Sequence, residues 1–197
     1  MPQIPPVTKA LILICVGVFC AQQLLPQAFD SLFALWPVQS GAFMPWQLLS
    51  YAFLHGSLTH LFFNMLALWM FGAEIERLWG PRRYLQFLLA SALSAAIVQL
   101  LWTWLIGSRY PTVGASGATF GLLLAFGMMF PNRMVMLLIP PIPMKAKYFV
   151  AVFGGLELLF GVTGGSGIAH FAHLGGMLGG FLMIRYWRGQ LPFGRRR

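Results

Sequence analysis

The sequence predicts an all-α membrane protein, a bundle of six transmembrane helices with both termini on the cytoplasmic side. Three observations carry that expectation. The 197 residues are 58% hydrophobic and only 9% charged, whereas soluble domains are about 25% charged. The mean hydropathy is +0.75. Apolar stretches recur at 8–25, 58–72, 84–106, 116–130, 148–162 and 168–186, long enough to cross or nearly cross a hydrocarbon core about 30 Å thick. Six crossings return the chain to its starting side. Lys9, Arg77, Arg82, Arg83, Arg133, Lys145, Lys147, Arg185, Arg188, Arg195, Arg196 and Arg197 then share one face, and Arg109 alone faces the other. By the positive-inside rule the crowded face is cytoplasmic. The net charge of +9 is thus a topology signal with some attraction to anionic lipid. The implied surroundings are a lipid bilayer, and nucleic acid is not an expected partner.

Taken in order, the first span follows a polar start containing Lys9, and residues 22–26 offer no A-x-A-like cleavage site. It reads as a retained anchor. Cys15 and Cys20 fall on different faces of it and read as packing residues. Residues 26–45 and the following Trp46 mix prolines with Phe29, Leu32, Phe33, Leu35, Trp36 and Phe43, the composition of a segment lying in the membrane interface. The connection 107–113 is short. Pro140, Pro141 and Pro143 exclude a helix from the cytoplasmic connection 132–147, and Gly164-Gly165-Ser166-Gly167 reads as a flexible outer connection. The whole of 1–197 reads as a single membrane domain, with a core at about 8–187 and a basic cytoplasmic tail at 188–197. With no transit-like leader or extra domain visible, a bacterial inner membrane is the expected location.

The chemistry concentrates in Gly114-Ala115-Ser116-Gly117-Ala118-Thr119-Phe120-Gly121. A helix from Ser116 to Phe130 spans roughly 22 Å, so with Arg133 at one surface Ser116 lies below the other. Irregular backbone at that depth requires a protein-lined or water-filled cavity. Asn64, Ser116 and His173 stand 13, 17 and 12 residues from Arg77, Arg133 and Arg185, about 18–25 Å above the cytoplasmic face. Intramembrane polar groups are costly and mark function, and these three share the outer half of the bilayer. His60 and Asn64, four apart, face the same way. Gly117/Gly121 and Gly176/Gly180 each form a G-x-x-x-G step that lets two helices approach, which would bring Ser116 to His173. Serine beside histidine is a nucleophile–base pair; His60, Asn64 and free N–H groups at the helix start would serve an oxyanion. Glu157, ten residues above Lys147, is about 15 Å up and reads as too deep to orient His173. A Ser–His pair without a third acid is expected, with Glu157 structural. No Cys/His/Asp cluster has metal-ligand spacing in the sequence, so no metal or cofactor is expected.

These residues resemble the rhomboid family of intramembrane serine proteases. Gly114-Ala115-Ser116-Gly117 matches its G-x-S-G motif, His60-Leu61-Phe62-Phe63-Asn64 its H-x-x-x-N, and Ala172-His173-Leu174-Gly175-Gly176 with Gly180 its A-H-x-x-G-x-x-x-G. Gly72-Ala73-Glu74-Ile75-Glu76 with Gly80 resembles its G-x-x-x-E-x-x-x-G. The resemblance spans residues 46–180 in family order and implies a six-helix rhomboid-like bundle. It implies Ser116 as nucleophile and His173 as base, the motif register through Gly176 and Gly180 selecting His173 over His170. It also implies His60, Asn64 and the Ser116 N–H as oxyanion donors, with Phe120 where members carry an aromatic against the histidine. His55 matches a structural histidine of the family. Trp46-Gln47 stands where some members have Trp-Arg, which puts that loop's anchoring in question. The implied substrates are single-span membrane proteins cut near the outer end of their helix. A non-catalytic rhomboid-like binder of transmembrane helices, or a small transporter using the same polar cavity, are the other readings.

Overall fold

The computed structural model describes residues 3–136, 141–164 and 169–190. Pro140, the 165–167 portion of the glycine-rich connection and Arg195–Arg197 of the basic tail lie outside the described residues. Eight helices carry the described fold: α1 (Pro6–Leu24), α2 (Pro26–Phe33), α3 (Gln47–Ser50), α4 (Leu58–Ala67), α5 (Ala73–Leu105), α6 (Ser116–Met129), α7 (Ala146–Thr163) and α8 (His170–Trp187). The α1 helix, the run Leu58–Leu105 and α7 are long and apolar enough to cross a membrane, and α6 is a shorter apolar helix.

A wide turn at Leu68–Gly72 carries α4 into α5. α5 breaks at Gly80, whose backbone has φ 76° and ψ 165°. Glycine enters this left-handed region without a Cβ clash, and Pro81 follows, lacking the N–H that would continue the ladder. The chain folds back there, and the Tyr84 hydroxyl comes to rest against Gly72. The stretches expected at 58–72 and 84–106 therefore lie on two helices that meet at the Gly80 break. Nine of the fourteen residues of α6 are buried. It forms the axis of the bundle, with α5 and α8 packed against it and against each other. Leu68, Phe71, Ile75, Phe87, Leu122 and Phe126 make the main apolar core. Leu13, Leu101, Leu159 and Leu182 point outward, as lipid-facing side chains do.

The connection at 26–45 begins with α2 and holds a short 3-10 turn at Val38–Ser40. Sequence alone showed an interfacial segment there; Pro26 starts its helix, since proline at the first helical position gives up a donor that is unpaired anyway. The connection after α6 is a hairpin of β1 (Met134–Met136) and β2 (Pro143–Lys145), in keeping with the exclusion of a helix.

Charged groups gather at one end of the bundle. Glu74 lies 3.0 Å from Arg133 and 3.5 Å from Arg77, and Arg77 donates to the Gln3 carbonyl at 2.9 Å. The start of α1, the break in α5 and the end of α6 therefore meet there.

α1 is held at that end by a remote cap. The first N–H groups of a helix have no internal partners, and α1 has no capping side chain of its own. The buried Glu76 carboxylate accepts from Val7 N at 3.0 Å, Thr8 N at 2.7 Å and Thr8 Oγ1 at 2.8 Å. Its negative charge also suits the positive end of the helix dipole. Glu76→Ala strands these donors at about 1–3 kcal/mol each. We expect thermal denaturation in detergent to show a loss of at least about 3 kcal/mol.

Candidate active site

The site is assembled from α4, the approach to α6, α6 itself, α7 and α8. Ser116 is the first residue of α6, which no side chain caps, so the backbone N–H groups there have no helical acceptor. The Ser116 Oγ lies 2.8 Å from His173 Nε2. Phe120, one turn along α6, lies flat on the His173 ring, with centroids 4.2 Å apart and planes within 6°. The pair sits in a cavity of about 1140 Å³ whose walls include His60, Asn64 and Thr119 on one side and Phe149, Phe153 and Phe160 on the other.

Absent side chains make the pair possible. A methyl group at Gly176 would run into the Gly117 carbonyl, so the backbones of α6 and α8 touch where the two G-x-x-x-G steps meet. A methyl at Gly180 would lie 2.7 Å from Phe87 Cζ. Gly114 has φ +125°, and a methyl there would lie 2.6–2.7 Å from the His60 ring atoms Cε1 and Nε2. That glycine thus serves both a backbone conformation and the seating of His60. Ala115 is buried, and its carbonyl accepts from Thr119 N at 3.0 Å.

His60 is fixed at the start of α4, where the Ser57 hydroxyl accepts its backbone N–H at 3.1 Å. Asn64 is buried, with its Nδ2 donating to the His60 carbonyl at 3.0 Å and its Oδ1 accepting from Thr119 Oγ1 at 3.3 Å. Thr119 is a site residue that sequence reasoning passed over. The His60 carbonyl, which can only accept, fixes Nδ2 as the end of the Asn64 amide that faces it; the place of Thr119 one turn after Ser116 was the available signal.

The loop between α2 and α4 is anchored through Gln47, in the place where the resemblance gives some members an arginine. Gln47 is fully buried; its Oε1 accepts from Trp36 N and Met44 N, and its Nε2 donates to the Ala42 carbonyl at 3.2 Å. Trp46 Nε1 donates to the Leu32 carbonyl at 2.8 Å. Leu35 and Thr112 exchange backbone bonds of 2.9 Å, and Gly114 N donates to Tyr51 O at 2.9 Å. The loop is thereby tied to the strand of chain that delivers Ser116. His55, fully buried, donates its backbone N–H to Gln22 Oε1 and has Nδ1 3.3 Å from the Phe53 carbonyl.

Glu157 corrects one expectation. Its Oε2 lies 2.6 Å from His170 Nδ1 and 2.8 Å from His173 Nδ1. The first is a hydrogen bond; the second has ion-pair distance but is too bent to be an aligned one. Counted from Lys147 and Arg185, Glu157 and His173 differ in height by only about 3 Å, which the length of a glutamate side chain spans. The expectation about metal-ligand spacing also needs amending, since these three ligand-type atoms lie within 4.8 Å of one another in space. Their 2.6 and 2.8 Å separations are those of shared protons. Ligands at about 2.0–2.1 Å from a tetrahedral ion stand about 3.3 Å apart.

A serine and a histidine in contact inside an apolar helical bundle define a membrane-embedded serine–histidine site. The family profile described as the Rhomboid domain matches residues 42–189. Rhomboid protease GluP of Bacillus subtilis is 36% identical over 137 residues, 69% of this chain and 25% of its own length. Rhomboid protein 1, mitochondrial, of Saccharomyces cerevisiae is 34% identical over 134 residues, 66% of this chain and 38% of its own. Rhomboid protease GlpG of Yersinia pestis is 26% identical over 189 residues, 94% of this chain and 63% of its own. The chain belongs to the rhomboid family, and it spans a quarter to just under two thirds of the length of these relatives.

Because α6 and α8 touch at Gly117 and Gly176, Gly176→Ala must force them apart. We expect at least about 1–3 kcal/mol of lost stability from the overpacking. Labelling of Ser116 by a serine-directed probe should fall to background.

Proposed function

We propose that this chain is an intramembrane serine endopeptidase. It hydrolyses a peptide bond in or near the outer end of transmembrane segments of single-span membrane proteins. The observation that carries this reading is the 2.8 Å contact between Ser116 Oγ and His173 Nε2 inside a cavity walled by apolar helices. The names of the relatives, two of them rhomboid proteases, support it.

In this reading the chain crosses the bilayer six times, with the end that carries Glu74, Arg77 and Arg133 in the cytoplasm of a bacterial cell. His173 Nε2 takes the Ser116 proton as Oγ attacks the scissile carbonyl, then passes it to the leaving amine. Water hydrolyses the acyl-serine by the reverse proton path. The oxyanion forms beside the Ser116 backbone N–H, the Asn64 Nδ2 and the His60 ring. The amide's role is supported by its second N–H, since Nδ2 carries two protons and the His60 carbonyl takes one of them. Phe120 limits the His173 ring to rotation in its own plane.

The cavity reaches from Ser116 to Phe63 and Met70 near α4 and to Phe149 and Phe153 on α7. α7 packs chiefly on α8 and α6, and only three of its eighteen residues are buried. A substrate helix would come in sideways between α4 and α7. It must unwind to offer an amide to Ser116, so Gly or Pro near its outer end should favour cleavage.

The test uses purified protein in detergent and a single-span substrate of that kind. We expect Ser116→Ala and His173→Ala to abolish turnover. Asn64→Ala should lower kcat by about 10²–10³-fold, as for one lost oxyanion donor. Cleavage that survives Ser116→Ala sinks the reading.

A further inference from the structure

A carboxylate buried among membrane helices needs partners to remain there, and the partners of Glu157 are unusual. Its side chain is 13% exposed, and the two imidazoles that meet its Oε2 are 6% and 9% exposed. One of them belongs to the residue paired with Ser116. The two rings stand perpendicular, at 88° with centroids 6.3 Å apart, so they reach the same oxygen from different directions.

Three consequences follow from this arrangement. An ionised carboxylate only accepts hydrogen bonds, so each Nδ1 facing it carries its proton. His173 Nε2 is then left with a lone pair aimed at Ser116 Oγ, the tautomer that a general base requires. Phe120, parallel to the ring, blocks tilting but permits rotation in the ring plane, and Oε2 is the group placed to stop that rotation. The 2.6 Å bond from His170 fixes the carboxylate itself. The bent contact with His173 Nδ1 suits a resting site, since such bonds tighten as the reaction proceeds. Positive charge on the ring, once Ser116 gives up its proton, strengthens the contact.

We propose that Glu157 is a positioning residue for His173, and that His170 acts through Glu157 by holding its carboxylate in place. This rests on the reading of Ser116 and His173 as the catalytic pair, and replaces the two-residue arrangement expected from sequence with a chain of four groups from three helices. α7, the least embedded of those helices, then supplies the group that steadies the base.

The experiment compares wild type, Glu157→Gln, His170→Gln and the double variant. Turnover is counted per probe-titrated serine, with thermal stability measured alongside. Glu157→Gln keeps the shape and removes the charge. It should lower kcat by about 10–100-fold with KM within about twofold, less than the about 10⁴-fold lost when an aligned triad carboxylate is amidated. His170→Gln should cost a few-fold, and the double variant no more than Glu157→Gln alone, the non-additivity of residues acting in series. A kcat within twofold of wild type for Glu157→Gln overturns the proposal. So does a loss that merely follows the titrated fraction or the melting temperature. Additive losses overturn the part assigned to His170. Proton NMR provides a readout that needs no substrate. A strongly downfield imidazole N–H signal in wild type that is lost in Glu157→Gln supports the network, and its absence in wild type overturns it. If that signal behaves as expected while wild type fails to cleave, the hydrolase reading fails and the network stands.

Discussion

The contact between the backbones of α6 and α8 is the constraint on which the site depends. Ser116 and His173 are 57 positions apart in the chain and meet because Gly117 and Gly176 have no side chains between them. In lipid there is little hydrophobic gain from bringing helices together, so close van der Waals packing between small residues must do it. Ser116 and His173 both ride on helices, which hold a geometry better than loops do. Gly121 extends the same contact, its missing Cβ leaving room for Ser91 and for the Gly176 carbonyl. Ser116 thus starts its helix where the packing is tightest.

The irregular part of the chain is held to that frame by neutral hydrogen bonds. Gln47 ties the backbone at Trp36 to that at Ala42 and Met44 from a fully buried position, and Tyr51 donates its hydroxyl to the Ala92 carbonyl at 2.9 Å. The Leu35–Thr112 bridge completes the link from the outer loop to the residues just before Ser116. A neutral amide has no ionised form to desolvate, which lowers the cost of burying it. Gln47 therefore anchors the loop without a guanidinium.

Much of this was legible in the residues themselves. The apolar stretches marked the helices because lipid demands long apolar runs. The G-x-x-x-G steps marked the α6–α8 contact because only glycine allows it. Counting residues up each helix placed Ser116, Asn64 and His173 at a common depth, and the geometry brings Ser116 to His173 and sets Asn64 on the cavity wall. The same counting set Glu157 about 3 Å below His173 and left out the reach of its side chain, which closes that gap. The bonds made by Thr119 and Gln47 were not legible for another reason. Their partners are Asn64, 55 positions away, and scattered backbone groups, and no local pattern records such bonds. The break between the two helices at Gly80 was readable as Gly-Pro, a pair that favours a turn.

The remote cap on α1 bears on how the protein is made. Thr8 and the carboxylate that receives it are 68 positions apart, so α1 leaves the ribosome well before its cap exists. At about 5–20 residues per second, roughly 3–14 seconds separate the two. During that interval α1 has a proline start and no side chain of its own to satisfy the open donors. Its early residence in the membrane must rest on hydrophobicity alone. The cap itself forms only once Glu76 is brought to the start of α1. In this respect α1 is secured well after it is made.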